Sequence, residues 1–215
     1  MNSNSRNIFF IVGTLFITLT SCKSNTYLLT NHDYKTGVDF TQGKWLLNTI
    51  NSTKENRDKL TQETTLFFTE NIGNRYYFRA DVNSLLLPEN IPLNPNKEQI
   101  KSLQAGTGFD YFINVSTKKN KDELGTVSLF DDEQSTEENN AEVTLEIYDL
   151  NLHQIIYTQK AIGSDRAEKQ KSIWETKKSN KLIDNINFHR SSNKLVLGSL
   201  KKILKDLKKK SIPKK

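Results

Sequence analysis

The sequence predicts an α/β (α+β) domain in which helices pack on a small mixed sheet. Apolar residues recur with helical spacing after Ser52 and again near the carboxyl terminus. Between these two regions, apolar and polar residues alternate in several short segments that turn residues separate. We expect a sheet of about four to six strands and two to four packing helices, including an amphipathic C-terminal helix.

The first predicted helix covers residues 53–72. Ser52 and Glu55 have the spacing of a capping box, in which a hydroxyl and a carboxylate bind the free backbone N–H groups at a helix start. Gly73 stands where the apolar spacing ends, and glycine commonly closes helices. The sequence therefore predicts both ends of this helix.

Strand patterns follow this helix along the chain. Residues 76–80 and 109–116 alternate between apolar and polar, and residues 94–106 between them have a capped, short helical pattern. Residues 143–148 alternate again, and after a polar turn a second apolar run covers residues 155–162. We expect the last two segments to form a hairpin.

The closing helix has two opposed stripes. The apolar stripe consists of Val196, Leu200, Ile203, Leu204 and Leu207. The other stripe is a candidate basic surface formed by Lys194, Lys201, Lys202, Lys205 and Lys208. This basic surface either meets anionic lipid or cell-wall polymer, or is solvated while the apolar stripe docks on the sheet.

The first 21 residues have the composition of a signal peptide. Arg6 precedes an apolar run of about twelve residues, which is too short for a bilayer span of about twenty. The run closes with Leu19, Thr20, Ser21 and Cys22. These four residues resemble the lipobox of bacterial lipoproteins, which implies cleavage between Ser21 and Cys22 and attachment of acyl chains such as palmitate to the Cys22 thiol.

The lipobox implies a location in the cell envelope, with Cys22 as the membrane anchor. Lys23 stands where an aspartate retains lipoproteins in the inner membrane of enteric bacteria, so the outer membrane is favoured, with the domain facing the periplasm or the exterior. Cys22 is the sole cysteine, which excludes an intramolecular disulfide. The alternative is a chance cysteine after an ordinary secretory signal.

We divide the chain into a signal peptide (1–21), a tether (22–40), a single domain (41–208) and a basic tail (209–215). An acidic loop near residues 131–140 interrupts the domain. Its adjacent carboxylates, Asp131 and Asp132, either bind a cation or are solvated.

Two short patterns resemble a known lipoprotein fold. Gly106, Asp110 and Tyr111 match the entry to a strand, and Asp149 with the run after Ile155 matches a strand, turn and return strand. This arrangement is similar to the activator lipoproteins of penicillin-binding proteins and to the curli secretion channel subunit. The resemblance covers roughly residues 53–207 and implies an α/β fold more than any particular partner.

The chain offers no set of residues for catalysis. His32, His153 and His189 are far apart and lack metal-ligand spacing, and no nucleophile elbow, P-loop or dinucleotide fingerprint occurs. We assign no catalytic residue, no metal and no cofactor. The net charge of +6 comes from mixed signs and no nucleic-acid motif accompanies it, so we expect no nucleic-acid partner.

Together these patterns predict a non-enzymatic, lipid-anchored envelope lipoprotein that acts as a binding or accessory module for another envelope protein. The alternative is a periplasmic or surface hydrolase whose carboxylate chemistry is unassigned.

Overall fold

The computed structural model describes residues 25–30, 38–82, 90–122, 138–166 and 191–212. These ranges contain six strands and three α-helices, which confirms the predicted α+β class and its C-terminal helix. The strands are β1 (Thr26–Leu29), β2 (Trp45–Leu47), β3 (Tyr76–Phe78), β4 (Tyr111–Asp122), β5 (Glu138–Asp149) and β6 (Gln154–Arg166). The helices are α1 (Lys54–Ile72), α2 (Lys97–Thr107) and α3 (Ser192–Lys210). Within these ranges, no helix is long and apolar enough to cross a membrane.

The strands form one mixed sheet in the order β1-β6-β5-β4-β2-β3. β2 runs parallel to β3 and β4, whereas β1, β6, β5 and β4 pair antiparallel. α1 connects the parallel strands β2 and β3, as a crossover between parallel neighbours requires. The predicted hairpin is the β5–β6 pair, and its register shifts between Ile147 and Tyr148.

One face of the sheet, which we call the helix face, is covered by α1 and α3. Trp45 of β2 is fully buried there, and its ring stacks on Tyr111 with centroids 4.2 Å apart. Because side chains alternate along a strand, Ile113 and Val115 of β4 point to the same side. The predicted apolar stripe of α3 is buried against this face, with Leu195 added to its members.

α1 and α3 run parallel and in register. Three contacts join them at a constant sequence separation of 138 residues: Asn193 to Glu55 at 2.9 Å, Lys201 to Glu63 at 3.2 Å, and Lys208 to Glu70 at 2.9 Å. Both helices therefore begin at the same end of the sheet.

The opposite face, which we call the network face, is covered in part by α2 and the segment before it. Ile100 and Leu103 of α2 pack with Leu46 and Phe112 of the sheet. α2 begins after Asn96, whose side chain accepts from the Gln99 N–H while the Gln99 side chain accepts from the Asn96 N–H. The helix begins later than the sequence suggested.

The predicted ends of the domain differ from the structure. Thr26–Leu29, which the sequence predicts to be part of the tether, pairs with β6, and Val38 and Phe40 are buried in the core. At the other end, α3 continues to Lys210, and Ile212 exchanges backbone hydrogen bonds with Val38 and Phe40. Residues 26–29, Val38, Phe40 and Ile212 therefore belong to the folded unit.

The predicted capping box of α1 is wrong. Thr53 is the N-cap and makes no side-chain capping hydrogen bond. The Ser52 hydroxyl instead accepts from the Thr117 hydroxyl at 2.8 Å, and Glu55 accepts from Asn193 of α3. The side chains of Ser52 and Glu55 therefore bind residues distant in sequence and do not cap the helix. The predicted end of the helix is confirmed at Gly73, where φ is 74°.

Candidate functional site

The amino-terminal strand identifies the end of the domain that the preceding residues, 1–24, join. Thr26 of β1 lies opposite Ser164 of β6, which lies opposite Asn140 of β5. The first turns of α1 and α3 are at the same end, because Asn51 forms a bridge with Ser116 near the end of β4. We call this the leader end. The other end, which we call the hairpin end, holds the β5–β6 turn at residues 150–153.

Several basic side chains are exposed at the leader end. Five lysines there are exposed: Lys54, Lys59, Lys118, Lys119 and Lys194. Two exposed carboxylates, Glu55 and Asp58, lie among them. The N-caps of α1 and α3, Thr53 and Ser191, make no side-chain capping hydrogen bond. The partial positive charges of both helix starts therefore add to those of the lysines.

A cleft of about 380 Å³ separates the first turns of α1 and α3. Lys59 and Lys194 line it together with Glu55. Asn193 of α3 connects to polar groups of α1 in this cleft. Its side chain accepts from the Asn56 amide at 3.0 Å and donates to Glu55 at 2.9 Å. The cleft thus contains one carboxylate and two ammonium groups.

The five lysines of the predicted basic surface are all exposed, but they do not form one isolated patch. Lys201 and Lys208 pair with carboxylates of α1, and Lys194 belongs to the leader end. The apolar stripe opposite them is docked on the sheet. The carboxylates of α1 therefore neutralise part of the positive charge that the sequence of α3 alone predicts.

A buried polar network lies on the network face. The Tyr148 hydroxyl donates to Glu146 Oε2 at 2.5 Å, and Asn114 Nδ2 donates to the Tyr148 oxygen at 3.2 Å and to the Ile91 carbonyl at 3.1 Å. The Asn94 backbone N–H donates to both Glu146 oxygens, at 3.1 and 3.0 Å. The network therefore binds the segment before α2 to the sheet.

Burial sets the protonation behaviour of this network. It raises the pKa of the Glu146 carboxyl above its ordinary value, against the lowering effect of the Tyr148 and Asn94 hydrogen bonds. Burial also raises the pKa of Tyr148, and the neighbouring Glu146 charge adds to the rise. Both carboxylate oxygens accept hydrogen bonds, so this acid holds the segment before α2 in place.

The alternation of apolar and polar residues in β4 and β5 predicts that Asn114, Glu146 and Tyr148 lie on the face opposite the apolar positions. It does not indicate that α2 and residues 90–96 cover that face. A polar residue on a solvated strand face and one in a buried network look the same in one sequence. The network is thus a feature that sequence reasoning missed.

The remaining predicted residues divide into two groups. His153 lies in the β5–β6 turn as predicted, with a φ of 52°, and its Nε2 atom is 2.9 Å from Gln104 Oε1. Within the described ranges, no group of three or more His, Cys, Asp or Glu side chains could hold a metal ion. The following predicted residues lie outside the described ranges: Ser21, Cys22, His32, Asp131, Asp132 and His189.

Known structures align with this chain at low identity. A PelC dodecamer from Paraburkholderia phytofirmans is 10% identical over 88% of this chain and 99% of its own, with a TM-score of 0.44. The lipoprotein GNA1162 from Neisseria meningitidis is 9% identical over 59% and 85%, with a TM-score of 0.41. A hypothetical protein from Chlamydia trachomatis is 10% identical over 81% and 94%, with a TM-score of 0.35. No protein-family model and no curated protein matches the chain.

Proposed function

We propose that this chain is a lipid-anchored lipoprotein of the bacterial cell envelope whose domain is a non-enzymatic accessory module for another envelope component. The observation that carries the proposal is the lipobox, Leu19 to Cys22, which closes a short apolar run. Small residues before the cleavage point let the backbone enter a peptidase, and the Cys22 thiol accepts a diacylglyceryl group. Lys23 favours the outer membrane.

The start of the folded domain supports a function at the membrane. β1 begins at Thr26, only four positions after Cys22. A domain attached so closely acts on components in or beside the same bilayer, because it has no long linker with which to search the periplasm. Its partner is therefore an envelope component within reach of the surface.

The lipid anchor is tested by the intact mass and membrane partition of the wild type and Cys22→Ala in a related host. We expect a chain beginning at Cys22 with added acyl mass in the wild type, and an unprocessed or soluble variant. Ser24→Ala, outside the lipobox, is the matched control and keeps the wild-type mass and partition. Cleaved, soluble and unmodified protein in both wild type and Cys22→Ala would overturn the anchor.

The partner is tested by photo-crosslinking from two exposed apolar positions on different surfaces. Leu66 lies on α1 and is 61% exposed, and Leu152 lies in the β5–β6 turn and is 63% exposed. We expect one position to give a recurrent adduct with the same envelope protein, and Cys22→Ala to lose it. Absence of a recurrent adduct from both positions in anchored protein counts against the accessory role.

The alternative of a hydrolase needs two carboxylates that converge on a substrate. In the described part of the chain, the cleft between α1 and α3 contributes Glu55 alone, and Glu146 is covered by residues 91–94. Asp110 and Asp149 come together at the β5–β6 turn, where each accepts a hydrogen bond from Asn151. These observations favour the accessory module over the hydrolase.

A further inference from the structure

We infer that the domain stands on its membrane with the leader end against the bilayer, where its exposed lysines contact anionic phospholipid headgroups. This inference rests on the proposed lipidation of Cys22. It assigns a membrane-contacting surface at the opposite end of α3 from the lysine-rich tail.

The length of the linker limits where the domain can lie. Three Cα–Cα steps of about 3.8 Å separate Cys22 from Asn25, so the anchor lies within about 11 Å of the first described residue. α3 has 19 residues and is about 28 Å long at 1.5 Å per residue. The linker is therefore much shorter than the domain, and the leader end stays near the headgroups.

The side chains at this end match an anionic surface. Lys118 and Lys119 are exposed near the end of β4, and Lys54 and Lys194 are exposed in the first turns of α1 and α3. Each lysine near an anionic bilayer strengthens binding about fivefold. The N-termini of α1 and α3, which lack side-chain capping hydrogen bonds, add the partial positive charge of their helix dipoles at this end.

Carboxylates at the leader end oppose this attraction. Glu55 and Asp58 are exposed among the lysines. Glu142 of β5 lies opposite Lys118 of β4 in the strand register and pairs with Lys160 at 3.0 Å. If these carboxylates screen the lysines, the protein will not bind anionic vesicles.

The C-terminal lysines are poorly placed for the same bilayer. Lys208 and Lys209 lie in the last turn of α3, about 25 Å from its start by helix rise. The Debye length at physiological ionic strength is about 8 Å, so a bilayer at the leader end attracts these groups weakly. Lys208 is also paired with Glu70 of α1.

The orientation is tested with lipidated protein in vesicles whose headgroups carry a fluorescence quencher. Because Cys22 is the sole cysteine and its thiol is acylated, an introduced cysteine takes a fluorophore selectively. We expect strong quenching at Asn51→Cys near the leader end, weaker quenching at Lys202→Cys on α3, and the weakest at Leu152→Cys in the hairpin end. Quenching that is strongest at Lys202→Cys or Leu152→Cys overturns the orientation.

The headgroup contact is tested with unacylated protein, the Cys22→Ala variant of residues 22–215. Its co-sedimentation is measured with phosphatidylcholine vesicles that contain or lack phosphatidylglycerol. We expect binding that requires phosphatidylglycerol, and a loss on the order of 25-fold in Lys118→Gln/Lys119→Gln. The matched control, Lys202→Gln/Lys205→Gln, has the same charge change and binds nearly as the parent does. Absence of binding, binding that ignores phosphatidylglycerol, or equal losses in both variants overturns the contact.

These results separate the inference from the function on which it rests. A missing acyl mass on Cys22 contradicts the proposed lipoprotein. With the acyl mass present, quenching at the wrong position contradicts only the orientation of the domain.

Discussion

The two faces of the sheet are held by different forces. On the helix face, Trp45 and Phe68 are buried among apolar side chains of α1 and α3, and stability comes from apolar area removed from water. On the network face, Glu146 and Tyr148 hold the segment before α2 through directed hydrogen bonds. The difference indicates that volume matters most on the helix face, whereas pairing and protonation matter most on the network face.

The largest effect is expected from a cavity on the helix face. Trp45→Ala removes a fully buried ring that stacks on Tyr111, and it should lower the free energy of unfolding by about 3–5 kcal/mol. Urea unfolding followed by circular dichroism measures this loss. Leu66→Ala on the exposed side of α1 is the control and should change stability by less than about 0.5 kcal/mol. Equal losses would contradict the assignment of the core.

A smaller effect is expected when one donor of the network is removed. Tyr148→Phe leaves Glu146 Oε2 without its hydroxyl donor and should cost about 1–3 kcal/mol of unfolding free energy. Tyr27→Phe is the matched control, because the buried Tyr27 hydroxyl has no hydrogen-bond partner in the described part of the chain. The control should be neutral or stabilising. A greater loss in the control would show that the network does not restrain this face.

The network face should also depend on pH. Because burial raises the pKa of Glu146 in the folded protein, the folded state holds the proton more tightly than the unfolded chain does. The free energy of unfolding should therefore fall as pH rises from the unfolded pKa, about 4.5, through the raised folded value. Glu146→Gln should remove this part of the slope in denaturant titrations at several pH values.

Asp110 supplies a control of opposite sign for this titration. Hydrogen bonds from the Asn151 side chain and the Lys44 backbone lower the pKa of Asp110, so its contribution to stability is lost as pH falls through the folded value. Asp110→Asn should therefore leave the Glu146 slope in place. A slope that disappears in Asp110→Asn and persists in Glu146→Gln would reverse the assignment.

The smallest effect is expected from the ion pairs between the two helices. Lys208 and Glu70 are 2.9 Å apart, but their side chains are 55% and 67% exposed. Exposed pairs contribute roughly 0.2–1 kcal/mol and are screened by salt. Lys208→Gln should therefore lower the free energy of unfolding by less than about 0.5 kcal/mol, and added salt should reduce the difference. A loss comparable to that of Tyr148→Phe would contradict this ranking.

Periodicity in the sequence predicted the long elements well. α1, α3 and the β5–β6 hairpin each contain enough turns or alternations for the pattern to be distinct. β1 has four residues and β2 has three, which are too few to show alternation, and β2 is buried on all three positions. Short strands of this kind are identified only by the neighbours with which they pair.

The candidate sites were less predictable because they depend on contacts between distant residues. Ser52 looks like a helix cap in sequence, but its hydroxyl contacts Thr117, 65 residues away. The lysines of α3 look like one basic face, but the carboxylates that pair with Lys201 and Lys208 come from α1. The charge that a helix presents is therefore a property of the packed pair of helices.

Contacts between residues near the start and near the end of the domain affect the order of folding. Val38 near the start donates its N–H to the Ser211 hydroxyl near the end at 3.0 Å, across 173 residues. α1 likewise has its registered neighbour, α3, 138 residues later. Such distant contacts close late, because the loop entropy must be overcome before they form. A chain exported as an extended polypeptide, as its leader predicts, would thus keep its helix layer incomplete until the last helix had crossed the membrane.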